Sequence, residues 1–179
     1  LPEKLYLQSE DLELATHYLN TVLLLITKYG QPVEGYGDPC ISAKRLFSVH
    51  IQALILLSYI SLEKRAYAIA RHYSESASQL LQSEGDSWLQ GEQRAMYAYT
   101  IAMYYAEAQL QLGQTPLSLE GLRTALKQAE TGNQAVYAVH LNMAIAHIAR
   151  GELEAAVVAF DKVLALNQTD IHVILLGIY

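Results

Sequence analysis

Apolar residues recur along this chain at helical spacing. No run alternates apolar with polar residues between hairpin-turn residues, as a half-buried strand would. From Ser9 to Tyr29, Leu12, Ala15, Leu19, Val22 and Ile26 share one face, and Gly30 is placed to end the helix. Gly30–Pro39 then gathers glycines and prolines into a loop, and Asp38-Pro39 reads as an N-cap followed by proline at the first helical position. The second helix runs on to about Ser61 with Leu46, Val49, Ala53, Leu57 and Ile60 on one side. Its partner, near Glu63–Gln82, carries Ala66, Ala70, Tyr73, Ala77 and Leu80, and Gly85-Asp86 is expected to separate it from the next helix. That fourth helix, from Trp88 or Gln90 to Leu112, stops at Gly113. A fifth starts at Thr115-Pro116 with Leu119, Leu122, Leu126 and Ala129 inward, and closes at Gly132-Asn133.

The clearest pattern lies from Val136 to Gln168, two short helices joined at Arg150-Gly151. In the second of them Leu153, Ala156, Val157, Phe160, Val163 and Leu164 form a single apolar stripe, which predicts Ala156 and Phe160 buried at the hairpin contact. In the first, Ala138, Val139, Leu141, Met143, Ala144, Ile145, Ala146 and Ile148 leave almost no polar face, so neighbours are expected on several sides. Such a hairpin cannot bury itself alone and calls for others stacked beside it, the logic of a helical solenoid. Asp170-Ile171 restarts a helix that carries the chain to Tyr179, making seven helices and a partial eighth. Because that last segment is apolar, the expectation is a fragment of a longer array, with possible self-association through the C-terminal helix.

These residues resemble the tetratricopeptide repeat. Across the turn at Gly151, Ala144 and Ala156 stand where the family places small residues, and Phe160 where it places a large aromatic; His147 and Gln168 depart from its pattern. The match covers residues 137–168 best. A weaker one covers 99–130, where Ala106, Gly113, Ser118, Leu122 and Ala125 take the corresponding places. The two turn glycines are 38 residues apart, from Gly113 to Gly151, rather than the family's 34, and the earlier pair has no glycine at Ser61-Leu62-Glu63, so the array is irregular. The resemblance implies an all-α superhelix of antiparallel hairpins spanning 1–179 as one domain. It also implies a concave groove lined by first-helix residues: Thr100, Met103, Tyr104, Glu107, Leu110 and Gln111 in one repeat, Ala138, Leu141, Asn142, Ile145, Ile148 and Ala149 in the next. The chaperone-binding members hold a C-terminal carboxylate with a lysine and asparagines. Met103, Leu141, Glu107 and Ile145 replace most of these and only Asn142 fits, which argues against a carboxylate clamp.

Composition narrows the function further. At 179 residues and 52 % hydrophobic, the chain can bury a large core. Its net charge of −6, with no stripe of Lys and Arg, speaks against nucleic acid and for a partner that is basic or neutral. Cys40 is the single cysteine, so no intramolecular disulfide can form and an intracellular location, cytoplasmic or nuclear, is expected. Apolar runs such as Val22–Ile26 and Ala53–Leu57 fall short of the roughly 18 residues of a membrane span. No signal-peptide pattern opens the sequence, and Asn167-Gln168-Thr169 is a chance match to a glycosylation sequon.

Catalytic and metal chemistry find no constellation. His140 and His147 lie seven apart without the i, i+4 partner of a helical zinc site, and read as packing residues. His17, His50, His72 and His172 are scattered, and Cys40 has no base beside it in sequence. No phosphate loop, nucleophile elbow or kinase signature occurs. The sequence thus predicts a protein that is not an enzyme and needs no cofactor or metal. It reads as an interaction scaffold whose groove residues Tyr104, Glu107, Gln111, Asn142 and Ile145 hold a peptide or partner subunit, with Tyr104 as the aromatic anchor. The alternative is a peptide- or ligand-responsive regulatory module of a larger signalling or transcription protein.

Overall fold

A computed structural model describes residues 9–29, 39–132 and 135–166. Seven α-helices and no strand are present among them: α1 Ser9–Tyr29, α2 Pro39–Glu63, α3 Tyr67–Trp88, α4 Gly91–Gln111, α5 Thr115–Gly132, α6 Val136–Ala149 and α7 Leu153–Leu166. The expected eighth helix after Asp170, with His172, and the glycine-rich loop at 30–38 lie outside the described residues. The chain divides into two compact units, Leu1–Gln90 and Gly91–Tyr179.

In the first unit α2 is the central element, packed on α1 and on α3. It therefore buries more than the one face read from its sequence. Phe47, Ile51, Leu54 and Leu57 are all enclosed, whereas Val49, expected inside, is half exposed. The short apolar runs of the sequence understate this helix, because 43–63 is long and apolar enough by composition to cross a membrane; half of it is buried in the fold. The expected face of α1 (Leu12, Ala15, Leu19, Val22 and Ile26) is its half-buried face. Lys64 pairs with Glu13, and the Tyr73 hydroxyl donates to Asn20 Oδ1 at 3.1 Å, tying α1 to the hairpin.

The expected break at Gly85-Asp86 does not occur, and α3 continues to Trp88. Its buried stripe is Ala70, Ser74, Ala77, Leu81 and Gly85, so Gly85 extends a row of mostly small residues instead of ending the helix. The chain leaves helical geometry only at Leu89, whose N–H donates to the Gly85 carbonyl at 2.8 Å.

Three hairpins close with one and the same turn. In α4–α5 the N–H of Gln114 reaches the carbonyl of Gln109 at 2.8 Å and that of Gly113 the carbonyl of Leu110 at 3.0 Å. In α6–α7 the equivalent bonds are Glu152 to His147 and Gly151 to Ile148, both 2.9 Å. This is the Schellman pattern, which satisfies the last carbonyls of a helix and needs a left-handed residue at its corner. Gly113 and Gly151 supply it with φ +74° each. The α2–α3 turn has no glycine, yet it makes the same two bonds, Ala66 to Ser61 at 2.8 Å and Arg65 to Leu62 at 2.9 Å, with Arg65 forced to φ 56°.

Counting from the corner residue, the position seven before and the position five after are small and buried in every hairpin: Ser58 with Ala70, Ala106 with Ser118, Ala144 with Ala156. Small residues there allow the two helices of each hairpin to approach closely. Gly121 marks how close, since a Cβ on it would lie 3.1 Å from Ala106 Cβ and from the Tyr105 ring. In the second unit each helix packs on the next, α4 on α5, α5 on α6 and α6 on α7, and α4, α5 and α6 share a core of Ala102, Ala106, Leu119, Leu122, Ala125, Val139 and Ala146.

The last helix corrects one expectation. Ala156 is buried as predicted, together with Ala159 and Val163, but Phe160 is only half-buried, and Leu153, Val157 and Leu164 are more than half exposed. Among the described residues α6 is the helix that α7 packs on, so a narrow face of small residues suffices for the contact. The wider stripe read from the sequence would bury itself only with a second neighbour.

Candidate functional site

A cleft of about 260 Å³ opens in the second unit between α4, α5 and α6. The α4 turn before Gly113 contributes Ala106, Glu107, Leu110 and Gln111; α5 contributes Ser118 and Leu122; α6 contributes Asn142 and Ile145. The Schellman turn fixes how α5 folds back on α4, and the small pair Ala106 and Ser118 keeps their backbones close. The larger side chains one turn further on, Leu110 and Leu122, then leave space between them that α6 borders.

Burial grades these residues from floor to rim. Ala106, Ser118 and Leu122 are fully buried, Leu110 and Asn142 are half-buried, and Glu107, Gln111 and Ile145 are exposed. The floor and walls are apolar apart from Ser118 and Asn142, and the rim carries one formal charge, that of Glu107. With a volume below the roughly 300–1,000 Å³ of small-molecule and cofactor sites, the cleft suits a single side chain better than a nucleotide or a flat ring system.

Ser118 stands out chemically. It is 1 % exposed, and its Oγ makes no hydrogen bond. Elsewhere hydroxyls on helices return to the carbonyl four residues back, as Thr16, Thr100 and Thr124 do at 2.6, 3.0 and 3.2 Å. In the α2–α3 hairpin, the buried hydroxyls are also satisfied. Ser58 Oγ donates to the Ala70 carbonyl at 3.1 Å, which leaves Ser74 to donate to Ser58 at 2.6 Å. A buried, unsatisfied hydroxyl costs about 1–3 kcal/mol, so Ser118 is tolerated there for its small size at the α4–α5 contact.

Of the five groove residues predicted from the sequence, four (Glu107, Gln111, Asn142 and Ile145) line this one cleft. Tyr104, predicted as the anchor, is half-buried on α4 and is not among the lining residues. Sequence reasoning placed Leu110 in the groove but missed Ser118 and Leu122 as its floor: it treated Ser118 only as a small contact residue, although a hydroxyl on a buried small position was the available signal.

The histidines read as packing residues divide. His140 is buried on α6. His147 sits beside the α6–α7 turn, where its Nδ1 is 2.7 Å from Glu152 Oε2, and Arg150 Nε donates to the other carboxylate oxygen at 2.7 Å. The hydrogen bond from His147, aided by Arg150, holds the Glu152 carboxyl below the usual carboxylate range. This cluster staples a helix end. Among the described residues no three His, Cys, Asp or Glu side chains gather as a metal-binding group.

A scan against protein-family models gives no match to this chain, and neither does a search of curated proteins.

Proposed function

We propose that this protein is a non-catalytic interaction module that grips a segment of a partner protein in the cleft between α4, α5 and α6. The observation that carries the reading is the convergence of Glu107 and Gln111 from α4 with Asn142 and Ile145 from α6 around one opening. Two side-chain amides and a carboxylate beside an apolar floor are what an extended segment needs: hydrogen bonds for its backbone and a recess for one side chain. The resemblance to tetratricopeptide repeats supports the same reading, because first-helix residues of adjacent hairpins line the groove in that family. The recurrence of one turn and one small-residue pair in three hairpins adds to it, and the array they belong to is proposed to be a superhelix of that kind. A net charge of −6 favours a basic or neutral partner and an association that weakens with salt.

The test is to select binders from a displayed library of random peptides on the full chain and measure their affinity by calorimetry. Ile145→Asp with Asn142→Ala, in a variant whose melting curve matches the parent, is expected to weaken the selected peptides by tenfold or more, equivalent to about 1.4 kcal/mol. Unchanged affinity in that folded variant would remove the cleft as the binding site.

A further inference from the structure

Leu153, Val157, Phe160 and Leu164 recur at i, i+4, i+7 and i+11, so they share one face of α7 over about 16 Å. Leu153, Val157 and Leu164 are each more than half exposed, and Phe160 is half-buried. The buried residues Ala156, Ala159 and Val163 lie about a quarter turn away, on the side that meets α6. Single exposed apolar side chains are ordinary on a protein surface, but four in one stripe mark a surface that binds. Along the border of the stripe away from α6 stand Glu154 and Asp161, both exposed and neither in an ion pair among the described residues. Lys162 falls on the opposite side of the helix, and Arg150 at the turn is already engaged by Glu152 at 2.7 Å.

We propose that α7 docks an amphipathic helix of a partner protein, with lysine or arginine along one border of its apolar face. The side chains of the stripe carry no polar atom. A segment lying on them must satisfy its own backbone N–H and C=O groups, which a helix does and an isolated extended strand does not. The spacing of the stripe is that of a seam shared by two helices, and charges flanking such a seam choose the partner. Here they are acidic, so the complement is basic. The same charges decide against two other occupants. A second copy meeting this one through antiparallel α7 helices about a two-fold axis would set the two acidic borders against each other. Residues 167–179 hold Asp170 and no Lys or Arg, so nothing in them answers Glu154 and Asp161. No residue of α7 lines the cleft between α4, α5 and α6, so this surface is independent of the interaction proposed there.

The experiment uses the full chain and three acetylated, amidated helical peptides about five turns long. Two carry a leucine stripe in an alanine background, bordered by lysines in one and glutamates in the other; the third scrambles the lysine peptide so that no apolar face remains. Each is titrated while backbone amide resonances are followed by NMR. The lysine peptide is expected to shift the amides of Val157, Asp161 and Leu164, and the scramble none of them. The glutamate peptide should bind about tenfold more weakly in dilute salt, a difference that molar salt removes. Val157→Ser with Leu164→Ser, at exposed positions and with an unchanged melting curve, should weaken the lysine peptide about tenfold or more. Glu154→Gln with Asp161→Asn should bring the lysine and glutamate peptides level. Equal binding of those two peptides to the parent chain overturns the basic partner, and equal binding of the scramble overturns the helix. Nuclear Overhauser contacts from residues 171–179 to Val157 or Leu164 in the free chain would give the stripe to the chain's own segment. Shifts at those residues on raising the chain's own concentration would give it to a second copy, and either result overturns the proposal. No response of α7 to any peptide overturns it too, while leaving the cleft reading standing.

Discussion

Arg65 and the two turn glycines do the same work with unequal comfort. A left-handed backbone costs a residue with a Cβ about 1–2 kcal/mol, and Arg65 bears this at φ 56°. Arg65→Gly is therefore expected to raise stability, by about 0.5–1 kcal/mol once the extra freedom of glycine in the unfolded chain is subtracted. Gly151→Ala should lower it by about 1 kcal/mol through backbone strain alone, since its Cβ would meet no atom within 4 Å. Opposite shifts of the denaturation midpoint in the two variants check this; equal or inverted shifts would mean that the turns are not alike. This is also where the sequence was hardest to read. Glycine announces a Schellman corner and arginine does not, so the sequence reading put the α2–α3 turn at Ser61-Leu62-Glu63, short of its corner at Arg65, and left unread the small pair, Ser58 and Ala70, that flanks that corner at the same distances.

Two ionisable side chains give stability a direction with pH. Burial lowers His50, partly offset by the charge of Glu84, so its folded pKa lies below the ordinary 6.5. Its contribution is fully present above that value and is lost as pH falls through the folded pKa. Glu152, lowered from 4.5 chiefly by its hydrogen bond to His147, contributes stability above 4.5 that is lost at still lower pH. Melting temperatures recorded on acidification should begin to fall below about pH 6.5, less steeply for His50→Gln, and fall further below about pH 4.5, less steeply for Glu152→Gln. A profile of the same slope in each variant and the parent would assign the acid sensitivity elsewhere.

Helices as whole elements were legible where apolar spacing and breakers agreed. α5 is the best case, because Thr115-Pro116, an inward leucine row and Gly132 all point to one helix, and Leu119, Leu122 and Ala129 are buried as that row requires. α3 shows the limit: Gly85 resembles a terminator, but a glycine on the buried stripe is also what close packing selects, and one sequence does not separate the two. α7 shows another. Its stripe was real, yet periodicity gives the apolar face and not how much of it a neighbour covers. Phe160→Ala is accordingly expected to cost about 1–2 kcal/mol, below the roughly 3–5 kcal/mol of a fully enclosed aromatic. Ala156→Leu, at a 3 % exposed contact with α6, should cost about 1–3 kcal/mol by overpacking. If Phe160→Ala proves the more damaging of the two by several kcal/mol, a second neighbour covers α7.

At the scale of the whole molecule, the chain carries a cleft whose rim was readable before its floor. Glu107, Gln111, Asn142 and Ile145 were named from the repeat resemblance, whose groove positions recur three and four apart along one helix face. The floor depended on how far α5 folds back over α4, a distance set by Ala106, Ser118 and Gly121 together and not by any one of them. Tyr104 was singled out for its size and lies on nearly the same face of α4 as Gln111, but about two turns earlier, so its place along the axis takes it off the cleft's lining, which aromatic character does not reveal. The most direct measurement of the central claim is photo-crosslinking of a selected peptide to the full chain. The crosslinker replaces Gln111 at the cleft rim in one variant and Lys162, an exposed position on α7, in another. Efficient crosslinking is expected from position 111, suppressed by excess unlabelled peptide, and only background from 162. Competable crosslinking from 162 with none from 111 would contradict it.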